Sequence, residues 1–254
     1  MLLPIGDDKT GRGSVPFVVY AIIVLNAIVF LFFQQAGSET GPGARFTSGY
    51  STVPYEITHN VDIVEPRPIR GAVLQQAPGP SPIYLTILFS MFMHGSWIHI
   101  LGNMLFLWVF GDNVEDNFGH VKFTIFYLLA GTAATLAQIA VDPDSRIPTL
   151  GASGAIAGVL GSYLLMFPRN RVRSVLPLFG FFFTTVELPA VLVIGFWIVL
   201  QIFEQYRSFV STAVSRGGGV AYMAHIGGFA AGAALTFLFR RRNGVYDSRG
   251  YYDQ

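Results

Sequence analysis

Apolar residues in this chain gather into six long segments that alternate with polar stretches. Most of the segments approach the roughly 20 residues that a helix needs to cross a bilayer. The fourth segment is shorter and ends at Pro168, because proline is disfavoured inside a helix. The pattern predicts an all-α polytopic membrane protein, a bundle of six transmembrane helices. The segments are residues 15–33, 97–114, 123–141, 152–167, 188–203 and 222–239.

Three other stretches are expected to lie outside the spanning helices. Residues 83–93 are apolar but too short to cross, so we expect an interfacial or re-entrant piece before the second segment. Residues 176–183 contain Pro177 and Gly180, which indicates a loop at the membrane surface. Residues 37–82 are rich in Gly, Pro and Ser, and we expect a long, poorly ordered external loop there.

Composition agrees with a membrane location. Charged residues make up only 12% of the chain, whereas soluble domains average about 25%. The formal net charge of +1 gives no indication of a nucleic-acid partner. Because cysteine is absent, disulfides and cysteine nucleophiles are excluded. Residues 1–14 resemble neither a signal peptide nor a transit peptide, so we expect the first segment to remain as an anchor.

The basic residues predict the orientation of the helices, because cytoplasmic loops carry an excess of Lys and Arg. With the N-terminus in the cytoplasm, ten of the 16 Lys and Arg residues fall on the cytoplasmic side. We therefore expect both termini to be cytoplasmic. The predicted organisation is a tail at 1–14, a membrane domain at 15–241 with the external loop at 37–82, and a second tail at 242–254.

Ser153 opens the fourth segment within the sequence Gly151-Ala152-Ser153-Gly154. Glycine permits a tight turn that would deliver the serine to a helix N-terminus, where unpaired backbone N–H groups suit an oxyanion. A hydroxyl in that place can act as a nucleophile. It can also simply cap a tightly packed helix, since serine is favoured at that position.

His225 lies near the start of the sixth segment and is followed by Gly228 and Gly232. These glycines form a face that lets another helix approach closely, and Gly154 and Gly158 give the fourth segment a similar face. Packing of the two faces would bring the histidine and the serine to a similar depth. Ionisable groups inside a bilayer are usually functional, although this histidine could instead bond a neighbouring carbonyl.

Three polar residues, His94, His99 and Asn103, lie at the start of the second segment. His99 and Asn103 are one turn apart on the same helical face. Both can donate hydrogen bonds toward a common point, as in an oxyanion hole. The alternative is a polar contact that holds helices together.

The sequence lacks the residues that other intramembrane enzymes need. The sequence has no HExxH zinc motif and no Gly-Lys phosphate loop. Asp112 has no second carboxylate within an apolar segment to complete an aspartyl pair. We therefore expect no metal, no nucleotide and no nucleic acid.

The motifs together resemble the rhomboid family of intramembrane serine proteases, in its bacterial type. The resemblance covers about residues 83–241. Met91 to His94 leads into His99-Ile100-Leu101-Gly102-Asn103, and the family's other two motifs follow in order. These are Gly151-Ala152-Ser153-Gly154 and Ala224-His225-Ile226-Gly227-Gly228, and Val186-Glu187-Leu188-Pro189-Ala190 is also similar to bacterial members.

The resemblance implies a six-helix fold and a role for each motif residue. Ser153 would be the nucleophile and His225 its general base. His99 and Asn103 would stabilise the oxyanion, and His94 would brace the external loop. The family works without a cofactor or metal on membrane-protein substrates, such as single-pass proteins, within the lipid bilayer. The absence of a targeting signal and the compact size of the chain fit a bacterial plasma membrane, and we expect a multi-pass protein of that membrane.

This chain departs from some members in two places. An aromatic residue that stacks on the histidine is replaced by Ala157, and the region near residues 84–86 lacks a Trp-Arg pair.

Two alternatives remain for the function. The first is a rhomboid-like protein without catalysis that binds and escorts membrane clients. The second is a small transporter or channel, which would carry polar residues along several spans.

Overall fold

Helices occupy all six apolar segments in the structure, a computed structural model. It describes residues 3–8, 13–65, 67–69, 72–74, 76–177, 183–210 and 220–241. The helices are α1 (Phe17–Ile28, continued by a π-helical turn at Val29–Phe33), α2 (Gly41–Tyr50), α3 (Pro54–His59), α4 (Thr86–Phe89, between 3-10 turns at Ile83–Leu85 and Ser90–Phe92), α5 (Trp97–Phe118), α6 (His120–Val141), α7 (Ser153–Met166), α8 (Ala190–Val210) and α9 (Tyr222–Phe239). The strands are β1 (Leu3–Asp7), β2 (Arg67–Ile69), β3 (Ala72–Leu74), β4 (Arg171–Pro177) and β5 (Phe183–Pro189).

The prediction of a polytopic helical membrane protein is confirmed in its coarser form, because the described chain is mostly helical. It is not all-α as predicted, since the described residues also form two small sheets. Within the described part of the chain, α6, α8 and α9 are each long and apolar enough to cross a membrane. The short helices at 83–92 meet α5 at an angle of 77°, a bend that fits a broken span as well as the predicted re-entrant piece. Counted as one span, the pair would be the fourth. The helices at 17–33 and 153–166 are apolar but shorter. The count of six spans and the cytoplasmic placement of both termini stay predictions.

Helix α7 lies at the centre of the bundle, and every residue from 154 to 163 is buried. On one side, α9 approaches so closely that a side chain on Gly232 would strike the backbone of Gly158. On another side, α5 places the Phe110 ring edge-on against Tyr163, with 5.0 Å between ring centroids. Small residues thus bring the helices that carry the polar motifs into direct backbone contact.

The prediction of a surface loop at 176–183 is wrong at both ends of this range, which belong to strands β4 and β5. β4 and β5 are antiparallel strands, and β1 pairs with the other edge of β4 in the order β1-β4-β5. Both strands are rich in β-branched residues, which favour a pleated sheet over the loop that Pro177 suggested. Residues 178–182 lie outside the described residues. The sheet stands at the opposite end of α7 from Ser153, and β5 runs directly into α8.

Residues 37–82, predicted to be a poorly ordered external loop and called the external segment below, are more ordered than predicted. The external segment contains α2, α3 and the β2–β3 hairpin, and it is tied to the loop before α7. Thr52 and Thr149 exchange two backbone hydrogen bonds of 3.1 and 2.8 Å. The Arg146 guanidinium lies 4.1 Å from the centre of the Tyr55 ring. Glycine and proline therefore mark turns between packed elements here, and not an unstructured linker.

Among the described residues of this segment, Glu56 is a buried ionisable residue, with 3% of its surface exposed. Burial raises the pKa of its carboxyl from 4.5 to about 7, and the nearby Asp62 adds to the rise. The hydrogen bond of 2.9 Å from the Ile63 backbone N–H opposes it. The folded external segment therefore favours the protonated form of Glu56.

Candidate active site

Three helices begin at one place in the bundle. Ser153 is the first residue of α7, His225 lies in the first turn of α9, and His99 lies in the first turn of α5. Helix N-termini carry unpaired backbone N–H groups and a partial positive charge. Negative charge that develops among these three residues would be stabilised by all three helix ends.

The turn before Ser153 requires glycine at position 151. Gly151 has a φ of +137°, a conformation that residues with a side chain rarely adopt. A Cβ there would lie 2.9 Å from His99 Nε2, so a side chain would also collide with the imidazole. The Gly151 N–H donates to the Ser90 carbonyl at 2.9 Å, which fixes the turn against the re-entrant piece. The backbone thereby passes close beside His99 and delivers Ser153 to the helix end.

Ser153 and His225 are brought together as the glycine pattern predicted. His225 Nε2 and Ser153 Oγ lie 2.8 Å apart. The contact depends on the glycine-lined approach of α7 and α9, in which a side chain on Gly228 would strike the Gly154 carbonyl. The histidine is buried and the serine half-buried, so the pair is shielded yet reachable from one side.

The other nitrogen of His225 contacts a residue that the sequence motifs did not indicate. Gln201 of α8 places Oε1 2.7 Å from His225 Nδ1. The Trp197 ring, one turn earlier on α8, lies 5.7 Å from the imidazole between centroids. Position 157 is an alanine, so α8 supplies the ring contact that an aromatic residue on α7 would otherwise make. Gln201 is the single amide in the apolar stretch at 190–203, and this was the available signal, since polar residues are costly in a bilayer.

A second glutamine, Gln138 of α6, holds the start of α9. Its Oε1 accepts a hydrogen bond of 3.2 Å from the Ala224 backbone N–H, one residue before His225. This bond satisfies one of the unpaired donors at the helix end. The position of His225 is therefore fixed from α6 as well as from α8.

His99 presents a protonated nitrogen toward the serine turn. Ser96 caps α5 by accepting a 3.2 Å hydrogen bond from the His99 backbone N–H. The Gly95 N–H donates to His99 Nδ1 at 3.4 Å. A neutral imidazole that accepts at Nδ1 carries its proton on Nε2, the nitrogen nearest Gly151. His99 can thus donate a hydrogen bond beside Ser153, as the oxyanion hypothesis requires.

Asn103 and His94 are linked to each other. Asn103 Nδ2 lies 2.9 Å from His94 Nε2, and the His94 and His99 rings meet edge to face at 5.0 Å. Gln34 binds both backbone groups of His94, accepting from its N–H at 2.9 Å and donating to its carbonyl at 3.0 Å. The described hydrogen bond of Asn103 therefore joins His94, and the second amide N–H of Asn103 is the one that could reach an oxyanion.

The described residues hold no group of three or more His, Asp or Glu side chains arranged to bind a metal ion. The chemistry that this arrangement offers is an alcohol, an imidazole in contact with it, and hydrogen-bond donors beside it. That set suits attack on a carbonyl carbon by the alcohol.

Comparison with known proteins agrees with the motifs. Residues 83–242 match the Rhomboid domain family. The chain is similar to "Rhomboid-like protein 11, chloroplastic" of Arabidopsis thaliana, with 26% identity over 165 residues, covering 63% of this chain and 54% of the relative. It is similar to "Rhomboid protein 1, mitochondrial" of Saccharomyces cerevisiae, with 30% identity over 148 residues, covering 57% and 38%. The human "Presenilin-associated rhomboid-like protein, mitochondrial" is 33% identical over 107 residues, covering 41% and 28%.

The chain spans about half or less of the length of these relatives. Their names place them in mitochondria and chloroplasts, so the predictions of a bacterial type and a bacterial plasma membrane are not supported. Those predictions were based on the motif at 186–190, on the size of the chain, and on residues 1–14, which do not resemble a signal or transit peptide. The family match covers well over half of the chain, and this protein therefore belongs to the rhomboid family.

Proposed function

We propose that this protein is an intramembrane serine endopeptidase that cleaves membrane-protein substrates within their transmembrane segments. The observation that carries the proposal is the 2.8 Å contact between Ser153 Oγ and His225 Nε2. Membership of the rhomboid family supports it, as does the position of the pair among apolar helices. Ser153 is the proposed nucleophile and His225 the proposed general base.

In the first step, Ser153 Oγ attacks the carbonyl carbon of the scissile peptide while His225 Nε2 takes the hydroxyl proton. A 2.8 Å separation is within the range over which a general base must reach its proton. The peptide carbonyl becomes a tetrahedral oxyanion. His225 then gives its proton to the leaving amine, and an acyl-enzyme on Ser153 results.

The oxyanion would lie between the serine turn and the start of α5. His99 Nε2–H, the free N–H of Asn103 and the backbone N–H groups at the start of α7 are the proposed donors. In a site that excludes most water, preorganised donors of this kind stabilise developing charge strongly. Removing one such donor typically costs about a hundredfold or more in kcat.

Deacylation requires water at the site. A water molecule would attack the acyl carbon while His225 removes its proton, and the proton returns to Ser153 as the ester bond breaks. Because the site lies where three helices begin, at the end near the external segment, water could reach it from that side. Non-helical backbone at membrane depth is compatible with such a water-filled cavity.

A substrate helix would reach the site between α5 and α8. A narrow apolar cleft, partly open to the outside, separates these helices, with Phe106 and Phe110 on one wall and Val193, Trp197 and Leu200 on the other. The outer face of α8 is strongly exposed and apolar, which suits lipid contact. A transmembrane segment with weak helix formers would unwind most easily for attack at Ser153.

The experiment uses the full chain in liposomes with a reporter membrane substrate and a fluorophosphonate probe. Ser153→Ala should abolish both cleavage and labelling. Ser162→Ala is the matched control on the same helix, since Ser162 bonds Thr236 far from the site, and it should retain both. A wild-type protein that binds the substrate yet neither cleaves nor labels would instead be an escort without catalysis.

A further inference from the structure

Helix α8 presents a polar side chain to the histidine from within an otherwise apolar stretch. The helix is exposed and apolar on its outer face, with Val199 and Ile202 both more than half exposed. Gln201 points the other way and is half-buried against His225. A polar group in such surroundings is costly unless its hydrogen bonds are made.

We infer that Gln201 is a positioning residue that holds His225 in the tautomer that a general base needs, with the proton on Nδ1. The inference rests on the proposed function and adds a third member to the pair of Ser153 and His225. Gln201 acts through the histidine and does not itself touch the reacting atoms. Its amide replaces the carboxylate that takes this place in a serine triad.

The orientation of the Gln201 amide follows from its second contact. Gln201 Nε2 lies 3.4 Å from the Trp197 carbonyl oxygen, which can only accept a hydrogen bond. The amide nitrogen must therefore face that carbonyl, and Oε1 must face His225 Nδ1 at 2.7 Å. The reverse orientation would place two acceptor oxygens against each other.

The tautomer of His225 follows from the orientation of the Gln201 amide. An amide oxygen only accepts, so His225 Nδ1 must carry the proton in the neutral ring. Nε2 is then left with a lone pair directed at Ser153 Oγ, 2.8 Å away. Without Gln201, the proton could occupy either nitrogen, and the form with Nε2–H could not take a proton from the serine. The Trp197 ring beside the imidazole limits its rotation as well.

The test compares three variants of the full chain in liposomes. Gln201→Leu should lower kcat by about tenfold or more while KM changes little, since the loss acts on the base and not on substrate binding. Fluorophosphonate labelling of Ser153 should slow in parallel. Gln205→Leu is the matched control, because Gln205 lies one turn further along α8 and bonds Ser208 instead of the histidine. It should keep the wild-type rates.

Gln201→Glu separates a positioning role from a structural one. A carboxylate can accept from His225 Nδ1 as the amide does, so cleavage should be rescued relative to Gln201→Leu. Its charge also favours the protonated imidazole, and the acid limb of the kcat/KM profile should move to higher pH. A wild-type pH profile in both variants would overturn the inference.

Failure of the inference differs from failure of the proposed function. If wild type cleaves and labels but Gln201→Leu does so at the same rate, Gln201 has no positioning role and the protease proposal stands. If wild type neither labels nor cleaves, both fail together. Should Gln201→Leu not fold, the pH profile of Gln201→Glu still decides, because the two side chains are nearly the same size.

Discussion

Substitution of Gly158 by alanine tests whether the approach of α7 to its neighbours sets the geometry of the site. An added Cβ would lie 2.6 Å from Ala130 Cβ on α6 and 3.2 Å from the Gly228 carbonyl on α9. Carbon atoms in contact prefer about 3.5–4.0 Å, so α7 and α6 must separate by roughly 1 Å. Gly158 lies more than one turn beyond Ser153, so the shift reaches the serine through the helix itself.

The expected effect is large on activity and modest on stability. Overpacking of this kind costs about 1–3 kcal/mol, and the better helix propensity of alanine offsets up to about 1 kcal/mol of it. A displacement of about 1 Å at a catalytic contact lowers the rate by roughly a hundredfold. The measurements are the rate of fluorophosphonate labelling of Ser153 and the rate of cleavage of a liposome-embedded substrate.

Two companion variants make the result specific. Gly158→Ala combined with Ala130→Gly removes the 2.6 Å collision and should recover most of the lost rate. Gly195→Ala makes the same change on α8, where an added Cβ meets nothing within 4 Å, and should leave the rate unchanged. Wild-type labelling by Gly158→Ala, or no recovery in the double variant, would refute the packing argument.

Two further predictions concern the oxyanion donors and the external segment. Asn103→Ala should lower kcat about a hundredfold or more with little change in KM, and a raised KM with intact kcat would contradict the oxyanion role. The raised pKa of Glu56, about 7, means that the unfolding free energy of the external segment is highest below pH 4.5, falls between pH 4.5 and 7, and levels off above that. Limited proteolysis against pH should show this fall in wild type and lose it in Glu56→Gln, whereas equal profiles would show that the carboxyl is not buried in solution.

Much of the bundle could be predicted from the sequence because apolar length and glycine spacing act locally. The six apolar segments each contain a helix, and the faces marked by Gly154, Gly158, Gly228 and Gly232 do pack together. Local patterns were less informative where long-range pairing decides the structure. The β4–β5 hairpin is completed by β1, more than 160 residues earlier, and no local pattern indicates that partner.

For the candidate site, the sequence indicates residues that lie in short motifs, and it does not indicate residues that contact them from distant parts of the chain. Ser153 and His225 were identified by type and setting, and they meet at 2.8 Å. Gln201, Gln138 and Gln34 were missed, since each binds an element far away in the sequence. An amide side chain within or at the end of an apolar helix was the physical signal, but its partner is defined only by the folded bundle.

The glycine contact between α7 and α9 has a mechanical consequence. Two helices whose backbones are in contact move as one rigid body, because neither can tilt or slide without colliding with the other. The Ser153 hydroxyl on α7 and the His225 imidazole on α9 must therefore keep their distance when the helices of the bundle move. Under the proposed function, a substrate that displaced α8 would leave this pair together but would draw Gln201 away from the imidazole, so α8 would have to return before the bond is cut.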